Sequence, residues 1–238
     1  MTLSFEVLLV FGIFSFYLFD SMSLLYANEL IFSETGGKWR CVYSGTGWQL
    51  RGKTLWVPNP LTPDKVVFRV CWSTKQGNQY ESPRDVRRFL RTLAPIRYMV
   101  AALHLLLLGI FPLVIFVLGA GNFLLTLTIV IYVTVVVMLV FVYRRRRELG
   151  LSASAFARIG FDSLVCVPFA INMVRKISLN RSLGGNPVAF AVTVFKKEAL
   201  ISLVNALCQH IDRELEYENE NNCNELWAFR NRLLRITK

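Results

Sequence analysis

Two ionisable side chains stand inside long apolar runs of this sequence, Asp20 and His104. A charge or an imidazole is costly in hydrocarbon, so such residues are the first place to look for chemistry. Asp20 lies towards the basic end of the run 3–27. His104 lies about five residues, roughly 7–8 Å, into the run 99–120 from the same side, at 1.5 Å per residue. The matching depths allow an Asp20–His104 pair, acting as a proton relay or as a polar clamp between helices. The plainer alternative has Asp20 at the interface as a helix-end residue and His104 bonded to a neighbouring carbonyl. One acid and one histidine do not make a conduction path.

No other set of residues resembles a catalytic one. The G-x-S-x-G, H-E-x-x-H, phosphate-loop and G-x-G-x-x-G patterns are all missing. Gly36-Gly37-Lys38 and Gly184-Gly185-Asn186-Pro187 read as turns. Cys208 and His210 are two positions apart on a predicted helix, so they point about 200° away from each other and cannot act together. The five cysteines, Cys41, Cys71, Cys166, Cys208 and Cys223, form no C-x-x-C pair. A zinc or iron–sulfur site needs clustered soft ligands. An odd number at irregular spacing also argues against a disulfide framework, and reduced thiols facing a cytoplasm are the simplest reading. The expectation is a protein without catalytic residues, metal or cofactor.

The elements that carry these residues belong to an integral membrane protein. The chain is 54% hydrophobic and only 18% charged, too apolar for an ordinary soluble domain of 238 residues. The apolar residues gather in runs separated by basic stretches. The first run, 3–27, is densest over 7–19. No Lys or Arg precedes it, and its Leu25-Tyr26-Ala27 end is a poor cleavage site, so it reads as an uncleaved anchor. The second run, 99–120, is interrupted by Gly109 and Pro112, and the third covers 123–143. Each of these two is about 20 residues without a formal charge, enough to cross a core of roughly 30 Å. Only 119–122, Gly-Ala-Gly-Asn, lies between them, which forces a tight antiparallel hairpin.

Charge sets the orientation. The tip 119–122 and the leader 1–6 contain no Lys or Arg. Three crossings with the N-terminus outside therefore put all 27 basic residues inside, and the opposite topology would put all of them outside. The net charge of +11 is accordingly read as positive-inside topology and contact with anionic lipid of the cytoplasmic leaflet, not as nucleic-acid binding. A bacterial inner membrane fits this pattern.

Four domains follow: the anchor 1–27, a cytoplasmic insert 28–98, the hairpin 99–143 and a helical, partly interfacial tail 144–238. In the insert, segments 29–33, 38–43, 48–51, 54–57 and 65–72 read as short strands punctuated by glycines and by Pro58-Asn59-Pro60. Trp39, Trp48, Trp56 and Trp72 are expected chiefly in the core of this small β-unit. A helix is predicted over 83–93, with Ser82 as N-cap and Pro83 as first residue. Its Arg84, Arg87, Arg88 and Arg91 form one basic stripe. Together with Arg144, Arg145, Arg146, Arg147, Arg175 and Lys176, they are expected to meet lipid headgroups or an acidic partner.

In the tail, 163–174 is apolar but too short to span, and reads as an interfacial helix broken near Pro168. Amphipathic helices are predicted over 196–216 and 225–236. Their apolar residues Leu200, Leu203, Leu207, Ile211, Trp227 and Phe229 are expected to form a partner interface. These features suit a non-enzymatic accessory, scaffold or assembly subunit of a membrane complex, bound to other subunits or to a second copy. The alternative is a membrane enzyme or carrier for a lipid or other apolar substrate, with 163–174 in its site.

Overall fold

The first apolar run forms helix α1, Phe5–Ser21. Its Ser21 hydroxyl donates back to the Leu18 carbonyl at 2.7 Å, and the chain turns extended at Met22. The expected span 3–27 is therefore shorter than its hydropathy suggested. Beyond Ser21 the chain is extended, and Ser23–Leu25 becomes strand β1. The computed structural model describes residues 4–43, 48–74, 79–119, 121–215 and 220–236, which divide into two compact units.

The first unit comprises Met1–Met22, Val57–Lys65 and Arg88–Arg181. Helix α2 covers Pro83–His104, and its residues from Arg88 onward belong here. The predicted basic helix and the second apolar run are not separate elements. They join into one helix of 35 residues, Pro83–Val117, about 52 Å long at 1.5 Å per residue. Pro95 lies inside it and does not end it. A π-helical turn, Leu105–Ile110, follows α2, and helix α3 is Phe111–Val117. The π turn sits just ahead of Pro112, whose missing N–H and bulky ring disturb the preceding turn. Phe89, Leu93, Ile96, Val100, Leu103 and Leu107 are buried at alternating spacings of four and three, so one seam of this helix faces the interior.

Helix α4, Asn122–Arg145, returns after the short tip. Its threonine hydroxyls are satisfied within the helix: Thr126 donates to the Asn122 carbonyl at 2.9 Å, Thr128 to that of Leu124 at 2.8 Å and Thr134 to that of Val130 at 2.8 Å. Ile131, Val135, Met138 and Val142 form its buried side. Helix α5, Ala153–Val165, is capped by the Ser152 hydroxyl, which accepts from the Ala155 amide. The expected break near Pro168 is present. Cys166 is extended, α6 is Val167–Ala170, and α7 is Met173–Arg181. The apolar segment 163–174 is thus the junction of three helices, not one interfacial helix. Val167, Ala170, Ile171, Met173 and Val174 are buried there, and α6 packs on α1 and α5.

The second unit comprises Ser23–Trp56, Val66–Arg87 and Ser182–Lys238. Strands β2 (Glu29–Thr35), β3 (Lys38–Tyr43) and β6 (Val66–Cys71) make an antiparallel sheet in the order β3-β2-β6. Strands β4 (Gln49–Leu50) and β5 (Lys53–Trp56) join β1 in a second sheet, β1-β5-β4. The β2–β3 hairpin turns on Gly36 and Gly37, both at positive φ, as a two-residue hairpin with the right twist demands. Trp39, Trp56 and Trp72 are core residues, as expected, whereas Trp48 is open. Trp39 packs against Phe68, Phe190 and Phe195, and Phe32 also meets Phe195.

Helices α8 (Pro187–Val194), α9 (Lys197–Leu215) and α10 (Glu220–Ile236) complete this unit. Here the expected partner interface is corrected. Leu203, Leu207 and Ile211 are fully buried, because α9 lays its apolar face on β3 and on α10 of the same chain. Phe229 stacks on Trp72 with ring centroids 6.0 Å apart. Leu200 is half-buried, and only Trp227, at 49% exposure, remains open among the six.

Candidate functional site

The polar residues of the first unit converge on one place, where the end of α1 meets α7 and the segment Val57–Lys65. Tyr17 and Asp20 are three positions apart on α1, hence on one helical face. Asn172, just before α7, and Arg175 and Lys176 within it share a face by the same spacing. The Pro58-Asn59-Pro60 turn supplies main-chain carbonyls that no regular ladder uses.

Asn172, at 1% exposure, is the hub. Its Nδ2 donates to Asp20 Oδ2 at 3.0 Å and to the Tyr17 carbonyl at 3.1 Å. Its Oδ1 accepts from Arg175 Nη1 at 3.2 Å. Arg175 Nη2 donates to the carbonyls of Asn59 at 2.6 Å and Thr62 at 2.8 Å. The Tyr17 hydroxyl donates to the Pro60 carbonyl. Lys176 Nζ lies 2.7 Å from Asp20 Oδ1 and 3.8 Å from Asp162 Oδ2, and stands over the Phe169 ring at 5.0 Å. At the margin, Arg97 approaches Asp64 at 3.6 Å, and Thr92 donates to Glu148 at 3.2 Å.

The electrostatics are those of a closed clamp. Arg175 is only 3% exposed, and burial holds its guanidinium below the usual arginine range. Such a group nevertheless stays charged near neutrality. Its charge is met by amide and carbonyl oxygens, which its fork-shaped donors suit. Lys176 and Asp20 have side chains 19% and 12% exposed and form an almost dry ion pair. Removing one partner of such a pair leaves the other charge uncompensated.

Each residue singled out from sequence can now be located. Asp20 is in the cluster, but its carboxylate is bonded to Asn172 and Lys176 rather than to His104. His104 packs edge-on to the Tyr17 ring, with centroids 5.8 Å apart. Its Nδ1 is buried without a hydrogen-bond partner among the described residues. Tyr17, not foreseen, meets His104 through its ring and, through its carbonyl, shares the Asn172 amide with Asp20. Arg175 and Lys176, expected at lipid headgroups, are instead consumed inside the unit. Arg84, Arg87, Arg88 and Arg91 are all exposed on α2. Arg144, Arg145 and Arg147 are exposed and Arg146 is half-exposed. Arg145 pairs with Glu148 at 3.7 Å, and Arg146 stands over the Tyr143 ring at 5.0 Å. Among the described residues, no three His, Cys, Asp or Glu side chains are grouped as metal ligands would be.

Asn172, a carboxamide inside an apolar stretch, is the one signal that could have pointed to the cluster. Tyr17 carried none, because tyrosine is ordinary in an apolar helix. Two helices, Pro83–Val117 and Asn122–Arg145, are long and apolar enough to cross a membrane. Together with the small sheets, they make a mostly helical protein with two candidate membrane-spanning helices. No known family model matches the chain, and no curated protein or solved structure is significantly similar to it.

Proposed function

We propose that this chain is a non-enzymatic scaffold or assembly subunit of a membrane protein complex. In this reading α1, Pro83–Val117 and α4 all cross the bilayer, the N-terminus is outside, and both units' basic surfaces face the cytoplasm of a bacterial cell. Helix α1 is about 25 Å long at 1.5 Å per residue, short for a span, and a short span is accommodated by local thinning of the bilayer. Its Phe5, Phe11 and Phe19 are among the most exposed aromatics, which suits lipid contact.

The observation that carries the proposal is the closure of the polar cluster. Asp20, Asn172, Arg175 and Lys176 bond one another and the Val57–Lys65 carbonyls. That arrangement suits fixing α1 to the helical junction. The Arg84–Arg91 stripe and the arginines at the end of α4 remain open for anionic lipid, at roughly 1 kcal/mol per residue near a charged surface. The test is native mass spectrometry after extraction in mild detergent. The expected result is a fixed stoichiometry with further chains or a second copy. A lipid-bound monomer under all extraction conditions would overturn the scaffold reading.

A further inference from the structure

The sheet β1-β5-β4 has two unlike faces. Leu25, Thr54 and Trp56 point to one side and are buried. Strand alternation puts Leu24, Leu50, Lys53 and Leu55 on the other, where Leu24 lies opposite Leu55 and Leu50 opposite Lys53. Tyr26 and Val57 continue that parity beyond the strand ends, and Lys53 Nζ stands 4.2 Å over the Tyr26 ring. Trp48, two positions before Leu50, is 85% exposed, and no large apolar side chain among the described residues is more so. Arg51 forms the β4–β5 turn with Gly52, both at positive φ, and is exposed.

We infer that this face is a second membrane-binding surface, lying in the headgroup layer where α1 leaves the bilayer. Three observations select lipid over a protein partner. The first is covalent reach. Helix α1 ends at Ser21 and β1 begins at Ser23, so the single residue Met22, about 7 Å of extended chain from Ser21 to Ser23, separates the membrane helix from the sheet. The first strand cannot leave the interfacial layer. The second is composition. Tryptophan and tyrosine, with an apolar body and a polar tip, favour the membrane–water boundary. The third is charge, since Arg51 and Lys53 edge the apolar patch as phosphate-seeking cations would. The inference rests on α1 crossing the bilayer, as proposed above.

Quenching of tryptophan emission tests it on the full chain reconstituted in phosphatidylcholine–phosphatidylglycerol vesicles. One set carries lipids brominated high on the acyl chain, and the other is challenged with aqueous acrylamide. The wild type is compared with Trp48→Phe, a conservative change at an exposed site. Trp39, Trp56 and Trp72 are buried and Trp227 is common to both proteins, so the difference signal reports Trp48. The expected result is loss of a bromine-quenched component in Trp48→Phe. A difference signal quenched by acrylamide and not by bromine would put the face in water and overturn the inference. One quenched by neither would mean a protein covers it, and would equally overturn it. Either failure leaves the subunit stoichiometry, on which the scaffold reading depends, untouched.

Discussion

Arg175 and Lys176 are adjacent in sequence and do different work. Arg175 satisfies two main-chain carbonyls and Asn172, while Lys176 neutralises Asp20. Lys176→Met should cost about 3 kcal/mol of stability, because it strands the Asp20 carboxylate in a nearly dry site. The double variant Lys176→Met with Asp20→Asn should recover much of that loss, since it removes both charges and keeps an amide for Asn172. Thermal unfolding of the four proteins in one detergent reads the coupling, and strict additivity would deny it. Arg175→Met should remove one hydrogen bond each from the Asn59 and Thr62 carbonyls and from Asn172, for about 2–3 kcal/mol. Arg175→Lys should not rescue it, because an ammonium lacks the planar fork. The same melts check this, with full rescue by lysine as the contrary outcome. At this scale the sequence exposed the ionisable outliers and hid their partners. Asp20 and His104 stood out against apolar neighbours, but the depth match that suggested pairing them is blind to what else occupies that depth. The actual partners of Asp20 are Asn172 and Lys176, from more than 150 residues later in the chain, across a contact no local pattern encodes.

The secondary elements were legible wherever one period dominated. The strands of the β-unit announced themselves through their Val, Trp, Phe and Thr content and through glycine turns, and the hairpin through its two charge-free runs. Two prolines behave differently. The helix expected over 83–93 runs on through Pro95 to Val117, because its buried seam outweighs one lost hydrogen bond. Pro168 did mark a break, since Cys166 ahead of it is extended. The end of α1 was missed because hydropathy cannot tell helix from strand once both are apolar. The amphipathic faces of α9 and α10 were real, but their partners proved to be β3, Trp72 and each other. The exposed stripe of α2 remains available for lipid. Replacing Arg84, Arg87, Arg88 and Arg91 together by Gln should reduce the phosphatidylglycerol retained after detergent extraction. Each charge contributes roughly 1 kcal/mol near an anionic surface. Lipid counting by native mass spectrometry reads this, and unchanged retention would assign the stripe to water or to a partner.

For the whole molecule, charge asymmetry makes a sharper claim than any single residue. Every Lys and Arg falls between the proposed spans on one side or in the tail, and none falls in 1–6 or 119–122. Three crossings follow only if α1 is a true span, and α1 is the shortest and least buried of the three helices concerned. Labelling with a membrane-impermeant maleimide tests this directly, using Ser4→Cys and Gly121→Cys in sealed cells, with the exposed native Cys71 as the internal reference. The expected result is that both introduced thiols react from outside, while Cys71 reacts only after permeabilisation. If Cys at position 4 is protected together with Cys71 while Cys at position 121 still reacts, α1 does not cross and the three-span account is contradicted.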